Sequence, residues 1–253
     1  MAEVFGNAWV WAVIAAPFVG SFLGVLILRL PAGLPVAWAR SACPHCGREL
    51  APIDLAPLAS WLSSGGKCRY CASPLGRFYP GIEIAALGVA IWAALTLPAP
   101  LLIWAGCLLG WSLLAAAVID ARHCLLPDVL VLPLIPAGIL LQVWTMPEQW
   151  IDHLAGASIG FALFAAVGLF YRRVRRREGL GLGDAKLLAA AGAWVGWAGL
   201  PSVVLLGALF GIVTALIMRM AGREVGRVTE LPFGPGLALA FWLVWLYGPL
   251  VPA

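Results

Sequence analysis

Eight apolar runs set the rhythm of the chain, at about residues 8–30, 80–97, 101–118, 129–146, 154–171, 185–200, 202–220 and 237–251. Roughly 20 apolar residues at 1.5 Å rise cross the ~30 Å hydrocarbon core of a bilayer, and most of these runs approach that length. In lipid such a run satisfies its backbone groups only as a helix. The pattern predicts an all-α polytopic membrane protein of about eight transmembrane helices. Its connections alternate between two sides. One side holds 31–79, 119–128, 172–184 and 221–236; the other holds 1–7, 98–100, 147–153, 199–202 and 248–253. Only 31–79 is both long and polar.

Composition sharpens this picture. The chain is 62% hydrophobic and 11% charged, with mean hydropathy +0.96; soluble domains carry about 25% charged residues. The net charge of +4 matters less than its placement. All sixteen Lys and Arg fall in or beside the first set of connections, from Arg29, Arg40 and Arg48 to Arg219, Arg223 and Arg227. The positive-inside rule makes that set cytoplasmic and both termini extracytoplasmic. The run Arg172, Arg173, Arg175, Arg176, Arg177 then reads as a topology signal in contact with anionic lipid, not as a nucleic-acid site. The first apolar run has no basic n-region and is predicted to remain as a membrane helix. Nothing in the pattern fixes an oligomeric state.

The cytoplasmic segment 31–79 holds two CxxC pairs, Cys43 with Cys46 and Cys68 with Cys71, separated by 21 residues. Disulfides are disfavoured on the reducing side of the membrane. Four thiolates in two knuckles close a tetrahedral zinc site with no open position for water, so a structural Zn2+ is expected in a small loop domain. His45, inside the first knuckle, reads as a surface residue. Cys107 reads as packing, and Cys124 has no metal partner in the sequence.

Carboxylates beside apolar runs are costly and mark sites. Asp184 follows Gly179, Gly181 and Gly183 where the chain re-enters the membrane. Glu83 opens the second run, and two readings stay open for it: a helix-dipole partner, or a group facing a cytoplasmic cavity. Asp120 ends the third run, where the dipole disfavours an anion, so its placement asks for another reason. Asp128 follows Pro127 at a helix start and reads as a cap. His123 and His153 read as solvated and topological residues. The chain has no metalloprotease HExxH, phosphate loop or nucleotide fingerprint. Two converging aspartates would share one proton, one activating water and the other polarising a carbonyl. Proton-coupled transport is the competing class, although it favours mid-membrane carboxylates and inverted repeats.

The motifs resemble those of the bacterial type IV prepilin peptidases, or leader peptidase/N-methyltransferases. GSFLGVLILRLP from Gly20 to Pro31 resembles the family's N-terminal GSFLNVxIxRLP. The cysteine pairs resemble its tetracysteine loop, and Arg77 to Glu83 resembles RYPxxE. Ile119 to Asp128 resembles IDxxxxxLPD, Gly181 to Lys186 fits GxGDxK, and Leu231 to Pro235 fits the late PFGP. The resemblance implies an inner-membrane GxGD aspartic protease with Asp120 and Asp184 as its catalytic pair. It implies prepilin or type II secretion pseudopilin substrates, cut after the Gly that ends a basic leader at the cytoplasmic face. S-adenosylmethionine-dependent methylation of the new N-terminus follows in many members; cleavage alone is the alternative. No residue here is assigned to that donor. The expected organisation is a first helix at 1–30, a methyltransferase-associated zinc loop at 31–79 and a seven-helix peptidase domain at 80–253. Gly24 stands where the family pattern has Asn.

Overall fold

The computed structural model describes residues 7–36, 40–175, 181–220 and 232–250. Arg176, Arg177, Gly179, Arg223, Arg227 and Leu231 lie outside them. Helices dominate: α1 (Ala8–Arg29), α2 (Ala59–Ser63), α3 (Phe78–Thr96), α4 (Pro100–His123), α5 (Asp128–Val131), α6 (Leu134–Thr145), α7 (Trp150–Arg175), α8 (Leu182–Met220) and α9 (Gly234–Tyr247). The described residues contain no β-strand, only two isolated bridges in the cysteine loop. Among the described residues, six helical segments are long and apolar enough to cross a membrane, and α9 is a shorter apolar helix. The α8 segment is two helices meeting at Gly196, whose φ of 71° is left-handed. With its arms counted separately, eight apolar rods stand where eight were expected, and the chain is a multi-pass membrane protein.

The break within α8 differs from expectation. The sequence pattern placed a connection at 199–202, yet those residues lie inside the second arm and the chain turns at Gly196. The left-handed φ at the bend suits glycine, which has no Cβ to clash there. The ring of His153 lies across the Gly196 bend, and its Nδ1–H donates to the Ala193 carbonyl at 3.1 Å. This buried histidine is structural.

The chain divides into two compact units, residues 1–115 and 116–253. In the first, α1 lies along α3 because Gly20 has no side chain. A Cβ there would stand 2.6 Å from Glu83 Cα. Small residues drive helix association where lipid removes the hydrophobic incentive. Trp111 Nε1–H donates to the Ala86 carbonyl at 2.9 Å and ties the middle of α4 to α3.

In the second unit, α7 meets α8 through Gly156 and Gly160, with Gly192 facing Gly156 backbone to backbone. Trp194 is buried and donates to the Leu134 carbonyl at 2.7 Å, which holds α6 against α8. The interior of both units is rich in alanine, including Ala86, Ala90, Ala190 and Ala191, whereas Leu95, Trp144, Phe170 and Met220 stand outward. Small residues inside and large apolar ones outside suit a protein whose solvent is lipid.

Candidate active site and metal centre

Asp120 lies in the last turn of α4 and is 6% exposed. Its placement against the helix dipole has a local compensation. Gly234, the first residue of α9, donates its N–H to Asp120 Oδ2 at 2.9 Å. The first N–H groups of a helix have no intrahelical acceptor, so they suit a carboxylate. Gly234 must be glycine for this contact, because a Cβ would sit 2.6 Å from the same oxygen.

Asp184 occupies the first turn of α8, with its backbone N–H donating to the Gly181 carbonyl at 3.2 Å. Gly183 lets this turn lie on Leu126; a Cβ would stand 2.9 Å from the Leu126 Cβ. The two aspartates line one cavity of about 570 Å³ with Cys124, Asp128, Gly181 and Lys186.

Asp128 departs from its expected role. It begins α5 but makes no side-chain cap; its Oδ1 instead pairs with Lys186 Nζ at 2.6 Å. An ammonium within reach outcompetes a backbone N–H as a charge-assisted donor. The sequence pattern assigned no individual role to Lys186 or Gly234. Their positions inside the GxGDxK and PFGP motifs were the available signal. Cys124, with a left-handed φ of 49°, turns the chain out of α4 beside Asp120.

The four cysteines come together. Their sulfurs all lie within 4.8 Å of one another, and Cys43 and Cys71 are 3.9 Å apart. A tetrahedral ion with Zn–S bonds of about 2.3 Å needs sulfurs ~3.8 Å apart, so the thiols fit such a metal. The knuckles are two copies of one design. Gly47 N–H donates to Cys43 O, and Ala72 N–H donates to Cys68 O, both at 2.9 Å. Gly47 and Ala72 both take left-handed φ, 69° and 56°. Cys43 and Cys68 are buried; Cys46 and Cys71 are outside.

Ser73, through its side chain and backbone, holds the Cys71 thiol down at about 6. At Cys46 the Arg48 backbone hydrogen bond favours the thiolate, but desolvation and the neighbouring sulfurs push the thiol up to about 11. Four thiolates this close repel one another unless a cation neutralises them. His45 stays on the surface and reaches the Pro74 carbonyl at 3.2 Å rather than the sulfurs.

A second cavity, of about 200 Å³, lies between this loop, α1 and α3. Glu83 faces it. Of the two readings left open for this residue, the structure takes the cavity-facing one: Glu83 Oε2 accepts the Leu58 N–H at 2.7 Å. Gly24 lies against the ring of Tyr79, where a Cβ would come within 2.7 Å of Cδ1.

Comparison with known proteins covers nearly the whole chain. The type IV leader peptidase family matches residues 107–216, and the bacterial Peptidase A24 N-terminal domain matches residues 14–97. A prepilin leader peptidase/N-methyltransferase of Pseudomonas aeruginosa is 39% identical, over 91% of this chain and 87% of its own length. Proteins of the same name from Stutzerimonas stutzeri and Aeromonas hydrophila are 36% and 35% identical, over 96% and 91% of this chain and 91% and 87% of their own. No solved structure matches.

Proposed function

Since the chain belongs to the type IV leader peptidase family, we propose that it cleaves the basic leader from prepilins or type II secretion pseudopilins and then methylates the new N-terminus. Cleavage follows the Gly at the cytoplasmic face of the bacterial inner membrane. Both termini lie on the opposite side, as the placement of every Lys and Arg supports. The observation that carries the reading is the meeting of Asp120 and Asp184 in one cavity from opposite ends of their helices.

In this reading the two carboxylates hold one proton between them. The ionised member takes a proton from water as its oxygen attacks the scissile carbonyl carbon. The protonated member donates to the carbonyl oxygen. As the C–N bond breaks, a carboxyl proton passes to the leaving amine. The Gly234 N–H fixes the Asp120 carboxylate during these transfers. Gly181 and Gly183 leave room beside Asp184 for an extended substrate backbone.

Residues 31–79 form the methyltransferase-associated loop, following the first helix at 1–30, and 80–253 form the peptidase region. Cys43, Cys46, Cys68 and Cys71 hold a structural zinc there. S-adenosylmethionine, when bound, would supply an electrophilic methyl group for the new N-terminal amine.

The test is leader cleavage by the purified chain in lipid nanodiscs. Asp120→Asn and Asp184→Asn are each expected to abolish it, whereas Asp128→Asn retains activity. Wild-type cleavage by either of the first two would sink the aspartate mechanism. Mass spectrometry of the processed pilin reads methylation separately.

A further inference from the structure

We infer that the cavity between α1, α3 and the cysteine loop binds the sulfonium-bearing methyl donor, S-adenosylmethionine, with Glu83 as the carboxylate facing its cation; the inference rests on the methylating half of the proposed function. Glu83 is 5% exposed, yet among the described residues it makes no ion pair. Its partners are neutral donors, the Leu58 N–H and the Ser21 side chain. A carboxylate offers about four acceptor positions, so these leave capacity unused. A buried carboxylate without a countercharge is costly in either solvent, and a cationic ligand would relieve that cost.

The surroundings select the kind of cation. Trp61 and Tyr79 line the same cavity and supply aromatic faces, which attract soft cations and stack on purines. Three cations line it too: Arg29, which donates to the Pro35 and Arg40 carbonyls, Arg69, which pairs with Asp54, and Lys67, which suits the carboxylate of an amino-acid moiety. A cationic centre, a carboxylate and an aromatic base within one ligand describe an adenosyl sulfonium. At about 200 Å³ the partly open cavity encloses the sulfonium end, not the whole nucleoside.

Backbone strain points to the same place. Leu58 has φ 58°, rare for a branched side chain, and its N–H is the one held by Glu83. Strain of this kind persists only where the surroundings enforce it, and it gathers at ligand clamps. The Glu83–Leu58 bond thereby couples the loop to α3 beside the cavity that Glu83 lines.

The experiment uses the full chain in nanodiscs without pilin, and equilibrium dialysis against tritiated S-adenosylmethionine or S-adenosylhomocysteine, which lacks the sulfonium charge. Glu83→Gln still accepts the Leu58 N–H but removes the charge. It should weaken S-adenosylmethionine by at least about tenfold and the neutral homologue by less than about threefold. Ser60→Trp, which fills the cavity, should weaken both by at least about tenfold. Gel filtration and thermal unfolding identify folded variants, and Ser60→Trp decides the matter if Glu83→Gln does not fold. Wild-type affinity for S-adenosylmethionine in the folded variants would overturn this site while leaving methylation intact. Equal weakening of both ligands by Glu83→Gln would overturn the role of its charge. No binding by the wild-type chain, together with unmethylated pilin, would remove the methylation reading and this inference with it.

Discussion

Replacing Gly234 by alanine tests the aspartate site at its most constrained contact. The added methyl would lie 2.6 Å from Asp120 Oδ2, 2.8 Å from Cγ and 3.1 Å from Cβ. All three atoms belong to one short side chain, so rotating one bond does not clear the overlap. Ordinary carbon–oxygen contact needs several tenths of an ångström more than the first distance allows. The carboxylate must therefore shift, and the 2.9 Å bond from the Gly234 N–H lengthens or breaks. Overpacking of this kind costs about 1–3 kcal/mol in stability. Moving a reacting group by about 1 Å costs ~100-fold in rate, or roughly 2.7 kcal/mol of barrier.

Leader cleavage should fall by about that factor, mainly in kcat, because the displaced carboxylate acts on the transition state. Gly234 is helical, with no left-handed φ, so alanine brings no backbone penalty to confuse the result. Gly88→Ala, where a Cβ meets open space, is the matched control and should cleave at the wild-type rate. A Gly234→Ala enzyme with wild-type kcat would refute the claim that this glycine seats Asp120 for catalysis.

Two further outcomes follow from the same geometry. Lys186 and Asp128 form a partly exposed pair, with side-chain exposures of 29% and 57%, so a double-mutant cycle on thermal unfolding should give a coupling of only about 0.2–1 kcal/mol. A coupling several times larger would show that the pair is buried in the working protein. Replacing Cys43 and Cys68 together by serine should empty the loop of zinc, as read by elemental analysis of the purified chain; wild-type protein that is folded yet metal-free would reject the metal centre.

How much of this was legible beforehand differs from feature to feature. The apolar runs were readable because transfer into lipid is a sum over neighbouring residues, and a helix needs no distant partner for its backbone. The polar loop and its CxxC pairs were readable for the same reason: each knuckle closes within five residues, Cys43 to Gly47 and Cys68 to Ala72. Asp120 was singled out by the mismatch between its charge and its helix end. The break in α8 was misplaced at 199–202 because the apolar run continues unbroken past Gly196, and the bend there is visible only in the folded chain, where the His153 ring lies against it.

By itself, then, the sequence determined the class of solvent, the number of helical rods and the residues rich in chemistry, and its charge placement supports one sidedness for the connections. These follow from local free energies and from charge placement. Only the tertiary structure decided what those residues touch. The donor that answers the Asp120 anomaly lies 114 residues away, Lys186 meets Asp128 across 58, and Leu58 reaches Glu83 across 25. Such contacts depend on glycine-lined helix packing that brings backbones together, and no window of sequence contains both partners. A glycine in the chain announces freedom; folded against Asp120, Gly234 supplies a hydrogen bond and leaves no room for a methyl group.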